Sequence, residues 1–208
     1  MSLPYQPKHF KVEDRDAALA VMQAAPFATL VSVHEGEAEF THLPLVARQS
    51  EESIVLLGHV ARANNHWRHW TPDTRLTAIF HGPESYVSPS WYATREMVPT
   101  WNYIVVHASG RVATTDDSAN KERILKALID AHDPPYRERW DVELSESYRE
   151  GHKSHIVGFE LAVETIEAKF KLSQNRLPAD HAGVLAAMER GSAAQQALGA
   201  WMRELKKP

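Results

Sequence analysis

Apolar and polar positions alternate from Phe27 to Val33 (FATLVSV) and again from Ala38 to Ala47 (AEFTHLPLVA), with the polar turn His34-Glu35-Gly36-Glu37 between them. β-branched and aromatic residues flanking a glycine-containing turn predict a β-hairpin. Ser53–Val60 (SIVLLGHV) predicts a third strand running into a short helix over Ala61–Trp70, which Thr71-Pro72 ends. Arg75–Phe80 predicts a fourth strand stopped at Gly82-Pro83, and Tyr86–Ser90 a short extended piece limited by Pro89. Trp101–Thr114 reads as a long strand in which Gly110 marks a bulge or a close approach. In His155–Phe170 the apolar series Val157, Phe159, Leu161, Val163 changes phase to Ile166, Ala168, Phe170, which predicts a long bent strand with a bulge.

Helical spacing appears in separate places. After an extended start containing Pro4 and Pro7, Asp14 caps a helix carrying Ala18, Leu19, Val21 and Met22 that stops at Pro26. Ser118–His132 places Ile124, Leu125, Leu128 and Ile129 on one stripe and ends at Pro134-Pro135, and a polar helical connection follows over 136–151. The tail predicts two helices, Ala179–Arg190 and one opened by Ser192. Gly191 is the stop of the first, and Ser192 with Gln195 forms a capping box for the second. Six or seven antiparallel-looking strands with isolated helices predict an α+β barrel with peripheral helices and a C-terminal helix pair. No linker or repeat divides the chain, so 1–208 reads as one domain with a helical appendage over 178–208.

Composition narrows the chemistry. With 43% apolar and 24% charged residues, the 208-residue chain has the make-up of a globular protein with a sizeable core. It has no cysteine, so thiolate catalysis, disulfides and thiolate metal centres are excluded, and a reducing cytoplasm is the expected compartment. No secretory pattern opens the chain and no apolar run approaches the roughly 20 residues of a membrane-spanning helix, so no membrane partner is expected. A net charge of −4 disfavours broad contact with nucleic acid. Twelve histidines include His66/His69 and His152/His155 at i, i+3, yet neither pair belongs to a known ligand pattern, and no metal is expected. Ser88 and Ser90 lie in no G-x-S-x-G elbow, and no G-x-G-x-x-G follows a strand.

Four blocks in order resemble the PaiB family of FMN-binding negative transcriptional regulators. They are Tyr5–Phe10 (YQPKHF), Gly58–Asn64 (GHVARAN), Gly82–Tyr92 (GPESYVSPSWY) with Val98–Tyr103 (VPTWNY), and Lys169–Arg176 (KFKLSQNR). That family is similar in fold to the split β-barrels that include pyridoxamine-phosphate oxidases, in which two subunits form two FMN sites across their interface. The resemblance therefore implies an FMN-binding split barrel working as a homodimer.

FMN needs a cationic and amide cradle for its phosphate, a flat apolar slot for its rings and polar groups at the pyrimidine edge. Arg62 and Asn64, where the third strand is expected to turn into a helix, are the phosphate candidates; the bland alternative is a helix cap and a solvated charge. The resemblance places Thr41, His42, Leu43 and Pro44 against the ring system with His59 and Val60 beside them. It brings Lys171, Ser173, Gln174, Asn175 and Arg176 to the cofactor from the late segment, or leaves that segment a solvated loop. Trp91, Tyr92, Trp101 and Tyr103 suit a core or interface better than ring stacking.

The implied function is negative regulation of transcription, linked in the family to protease production and sporulation. The alternatives are an FMN-dependent oxidoreductase, with His42, His59 and Tyr86 lining a substrate pocket, and a passive flavin sensor. No catalytic residue is assigned. The terminal helix pair, with Arg203, Lys206 and Lys207, is the one feature suited to DNA, and at the start of its second helix Ala193, Ala194, Gln195 and Gln196 offer only two base-reading side chains.

Overall fold

A computed structural model describes residues 5–50 and 53–205; Pro4, Lys206 and Lys207 lie outside them. The strands are β1 (Lys11–Val12), β2 (Phe27–His34), β3 (Glu37–Pro44), β4 (Val46–Gln49), β5 (Ile54–Ala61), β6 (Arg75–Val87), β7 (Thr100–Thr115) and β8 (Ile156–Lys171). The helices are α1 (Arg15–Ala24), α2 (Ser118–His132), α3 (Glu146–Lys153), α4 (Pro178–Glu189) and α5 (Ala193–Glu204). The strands hydrogen-bond in the order β3-β2-β6-β7-β8-β5-β4, with β1 against β8. The architecture is α+β, as the pattern of hydrophobic positions predicts.

The residues group into two compact units: a larger one of 19–80 and 107–166, and a smaller one of 1–18, 81–106 and 167–208. In the larger unit β2 and β3 form the predicted hairpin, closed by Glu35 and Gly36 at φ 51° and 89°. Positive φ at both central residues gives the twist that two-residue hairpins favour. Ile54, Leu56, Phe80, Phe159 and Leu161 are fully buried there. Gly110 belongs to a close approach, since a Cβ on it would stand 1.8 Å from the Ala162 carbonyl oxygen. Asp14 accepts from Asp16 N at 2.9 Å, and α1 follows it directly.

In the smaller unit β1 pairs with the end of β8, Lys11 opposite Lys169. The inward series of β8 moves from Val157, Phe159 and Leu161 to Ala168 and Phe170, the phase change the sequence predicts. The tail helices pack here: Leu198 and Met202 of α5 are buried and Trp201 meets Phe170 edge-on at 5.4 Å. Ser192 and Gln195 form the predicted capping box.

Three expectations are corrected. Ala61–Trp70 is not an α-helix: β5 runs to Ala61, a turn follows, and only His66–His69 coil, as one 3-10 turn. The cause is side-chain bonding, since Asn64 and His66 hold polar partners on other strands. β6 does not stop at Gly82-Pro83 but continues to Val87, with Gly82 fitted against Ile104, where a Cβ would meet side-chain atoms at 2.9 Å. The connection over 136–151 is broken into a turn at Tyr136–Glu138, a π turn at Arg139–Glu143 and α3.

Candidate functional site

The segment 62–65 leaves β5 and is held by side chains on every side. Asn64 Oδ1 accepts from His66 N at 2.9 Å, which orients the amide. Its Nδ2 then donates to Thr41 Oγ1 at 3.0 Å. Thr41 Oγ1 lies 2.8 Å from His66 Nδ1, and His66 Nε2 lies 2.8 Å from Ser32 Oγ, so one ring nitrogen donates and the other accepts. A buried hydroxyl–imidazole–hydroxyl relay thus pins the loop to the β2–β3 hairpin. Burial lowers the His66 pKa below its ordinary 6.5, which keeps the ring neutral; Glu39 pulls in the opposite direction. Beside the relay, His69 Nδ1 lies 2.7 Å from Glu39 Oε1, and the His34 and His69 rings stack 3.9 Å apart, 4° from parallel.

Arg62 is anchored as well. Its Nε donates to Ser154 O at 2.7 Å, and its Nη2 donates to Ile156 O at 3.1 Å and to the Asp116 carboxylate. Asp116 also accepts from Lys121 Nζ at 2.9 Å, and these hydrogen bonds to Arg62 and Lys121 hold its pKa down at about 2. Arg62 Nη1 and the N–H groups of Ala63 and Asn65 have no protein acceptor among the described residues. The donor set of this loop is therefore positive and proton-donating, which suits a phosphate. It is a loop set, because a single 3-10 turn supplies no helix-terminal field.

The block 41–44 divides between two faces, as period-two geometry requires. Thr41 and Leu43 point inward, Thr41 to His66 and Leu43 into the core, while His42 and Pro44 face outward. His42 Nδ1 contacts Thr29 Oγ1 at 3.0 Å. Val60 is 3% exposed and lies in the core. His59 pairs with Gly158 on the side that α2 covers, where a Cβ on Gly158 would meet Ile124 and Lys121. Its Nδ1 is buried without a partner among the described residues, and burial lowers the ring's pKa.

The late segment belongs to the smaller unit. Lys171 Nζ donates to Thr100 Oγ1 at 2.5 Å. Ser173, at φ 63°, turns the chain and donates to buried Asn102 Oδ1 at 3.1 Å. Gln174 folds back on Leu172 N and Phe170 O. Asn175 is exposed, and Arg176 lies over the Tyr92 ring at 5.0 Å. Ser32, Glu39 and Asp116 escaped the sequence reading, and His66 entered it only as half of a metal-ligand pair. Their partners stand 25 to 54 residues away or on another strand, so no local pattern marks them. Among the described residues no group of three or more His, Asp or Glu is placed to hold a metal ion. No helix among them is long and apolar enough to cross a membrane.

Comparison with known proteins agrees with this framework. A family model described as "Putative FMN-binding domain" matches residues 4–165. Protease synthase and sporulation protein PAI 2 of Bacillus subtilis is 37% identical over 184 residues, covering 87% of each chain. The flavocytochrome Anf3 of Azotobacter vinelandii superposes with a TM-score of 0.60 at 16% identity, covering 77% of this chain and 69% of its own. The FAD and heme binding protein of Mycobacterium smegmatis superposes with a TM-score of 0.57 at 14% identity, covering 77% and 73%. At these identities the structural likenesses establish the fold alone, a split barrel. The chain belongs to the PaiB-type family of FMN-binding domains.

Proposed function

We propose that the protein binds FMN through the 62–65 loop, assembles as a homodimer and acts as a regulator of PaiB type. The observation that carries the cofactor reading is the donor set at Arg62–Asn65, preset by the Asn64–Thr41–His66–Ser32 relay. Arg62 Nη1, the Asn64 amide and the two unpaired N–H groups are of the right chemistry for a phosphate and are held without needing to reorganise on binding. Bound FMN would supply redox chemistry that no side chain here provides. The chain's own part is to hold the phosphate and to orient the rings beside the outward residues of β3.

The outer face of the β2–β3 hairpin supports the dimer. Phe27, Val33 and Phe40 are 65%, 69% and 61% exposed there, with Val31 opposite Phe40. An apolar face of this kind on a soluble sheet suits a second copy. Asn175 and Arg176, at the end of the late segment, would then reach the cofactor of the partner.

The regulatory role rests on the likeness to PAI 2. Direct reading of DNA by the tail gains no support, because both glutamines at the start of α5 are engaged: Gln195 with Ser192 N and Ser85 Oγ, Gln196 with Gly191 O. The test is purification followed by FMN titration. A yellow protein that quenches flavin fluorescence on binding is expected, with Arg62→Ala weakening affinity by about 1.5–3 kcal/mol. A colourless protein indifferent to added FMN overturns the reading.

A further inference from the structure

Several buried or half-buried cations elsewhere in the molecule carry carboxylate partners: Lys121 pairs with Asp116, Lys153 with Glu150, Arg75 with Glu164. Lys169 and Lys171 do not. They sit two residues apart on the same face of β8, and Lys169 Nζ donates to Tyr5 O at 3.2 Å and lies over the Tyr5 ring at 5.4 Å. Both ammonium groups lie over one ring, that of Tyr103 on β7, at 5.4 Å and 6.0 Å from its centroid. Lys171 is further held by Thr100. Two like charges over one ring repel, and the protein keeps them together without a counter-ion among the described residues.

Next to them the same outward face carries two large aromatic side chains. Trp101 of β7 is 52% exposed and Tyr86 of β6 is 44% exposed, and the two rings meet edge to face at 6.2 Å, 77° apart. Thr100, Trp101, Tyr103, Tyr86 and both lysines all belong to the smaller unit. Exposed indole and phenol faces offer a platform for a flat ring, and ammonium groups with no carboxylate partner among the described residues keep protons to donate to an anion. Trp101 and Tyr103, two residues apart on one strand, put the aromatic pair and the two lysines on one face.

We propose that this face binds a small planar aromatic acid, its ring on Trp101 and Tyr86 and its carboxylate on Lys171 and Lys169. Burial and the neighbouring charges of Lys169 and Arg176 push the Lys171 pKa down from the ordinary lysine range, a cost that a bound anion relieves. Two lysines in a chain of net charge −4 are too few to hold a nucleic acid at physiological salt, since that affinity grows with each neutralised phosphate. The inference goes beyond the cofactor reading and uses none of the residues of the 62–65 loop.

The test is a titration of the full-length protein, as purified and after FMN loading, with 2-naphthoate, followed by tryptophan fluorescence and equilibrium dialysis. Saturable binding is expected, weakened about tenfold or more by Lys171→Met with Lys169→Met and by Trp101→Ala, with Lys171→Arg retaining it. Unchanged thermal unfolding and unchanged FMN affinity in the lysine variant show that the fold and the cofactor loop are intact. Cyclohexanecarboxylate, which has the charge without the ring, and 2-naphthamide, which has the ring without the charge, are expected to bind at least several-fold more weakly. The proposal is overturned by no saturable binding, by equal binding of either control, by a lysine variant that binds naphthoate normally, or by one that fails to fold. It is overturned too if FMN displaces naphthoate or if the lysine variant loses FMN, because the face then belongs to the cofactor.

Discussion

The guanidinium of Arg62 shares the carboxylate of Asp116 with the buried ammonium of Lys121. Asp116 thus fixes the arginine and, at the same time, competes for it with any incoming phosphate. Substituting Asp116→Asn removes the competing charge while leaving the Ser154 and Ile156 carbonyls to hold the guanidinium. FMN affinity is expected to rise several-fold in a fluorescence titration, with thermal stability falling because Lys121 loses its only carboxylate partner among the described residues. A drop in affinity would mean that Asp116 orients Arg62 more than it blocks it.

Neutral His66 links stability to pH. Its folded pKa lies below the ordinary 6.5, so the unfolded chain takes up a proton first as the medium is acidified. Above about 6.5 both states are neutral and the group contributes no slope; below it, stability declines as pH falls toward the folded pKa. Denaturant unfolding of the wild type between pH 7.5 and 5 should show this decline, and His66→Gln should reduce it, leaving the part due to His59, whose pKa burial also lowers. The same variant breaks the relay and should cost about 1–3 kcal/mol at neutral pH. Identical pH slopes in the two proteins would remove His66 from this role.

Gly110 admits no side chain. A Cβ there would stand 1.8 Å from the Ala162 carbonyl oxygen and 2.7 Å from its carbon, both backbone atoms that cannot step aside without moving β8. Gly110→Ala is expected to destabilise the protein by about 3 kcal/mol or more, read as a large loss in unfolding midpoint or as insoluble expression. Gly36→Ala, facing open space but at φ 89°, tests a different penalty and should cost about 1 kcal/mol.

If Lys171 supplies charge to a bound aromatic acid, naphthoate affinity has a basic limb that begins below the usual lysine range, because the folded pKa of Lys171 is depressed. Affinity should be constant near neutrality and fall as pH rises through that lowered value. Flat affinity up to the ordinary lysine range would separate binding from Lys171.

Much of the fold was legible because local chemistry and tertiary need agreed. Ser192 with Gln195, Asp14 before α1, the Glu35-Gly36 turn and the phase change between Leu161 and Ala168 each left a short-range signature that the structure reproduces. The errors fall where distant partners outweigh local spacing. Ala61–Trp70 has helical-looking composition, but bonds from Asn64 and His66 to Thr41 and Ser32 replace helical turns with a looped exit. Gly82-Pro83 reads as a stop, yet Gly82 is what lets β6 pass Ile104. At the candidate site the type of residue was readable at Arg62 and Asn64, whereas their orientation depends on Asp116 and Thr41, 54 and 23 positions away.

The most direct measurement is the stoichiometry and affinity of FMN on the purified full-length protein, wild type against Arg62→Ala and Asn64→Ala, with unfolding midpoints measured in parallel. One FMN per chain on the wild type, with both variants folded and weakened about tenfold or more, is the predicted result. A folded wild-type protein that takes up no FMN, or variants that bind it as tightly as the wild type, would contradict the account.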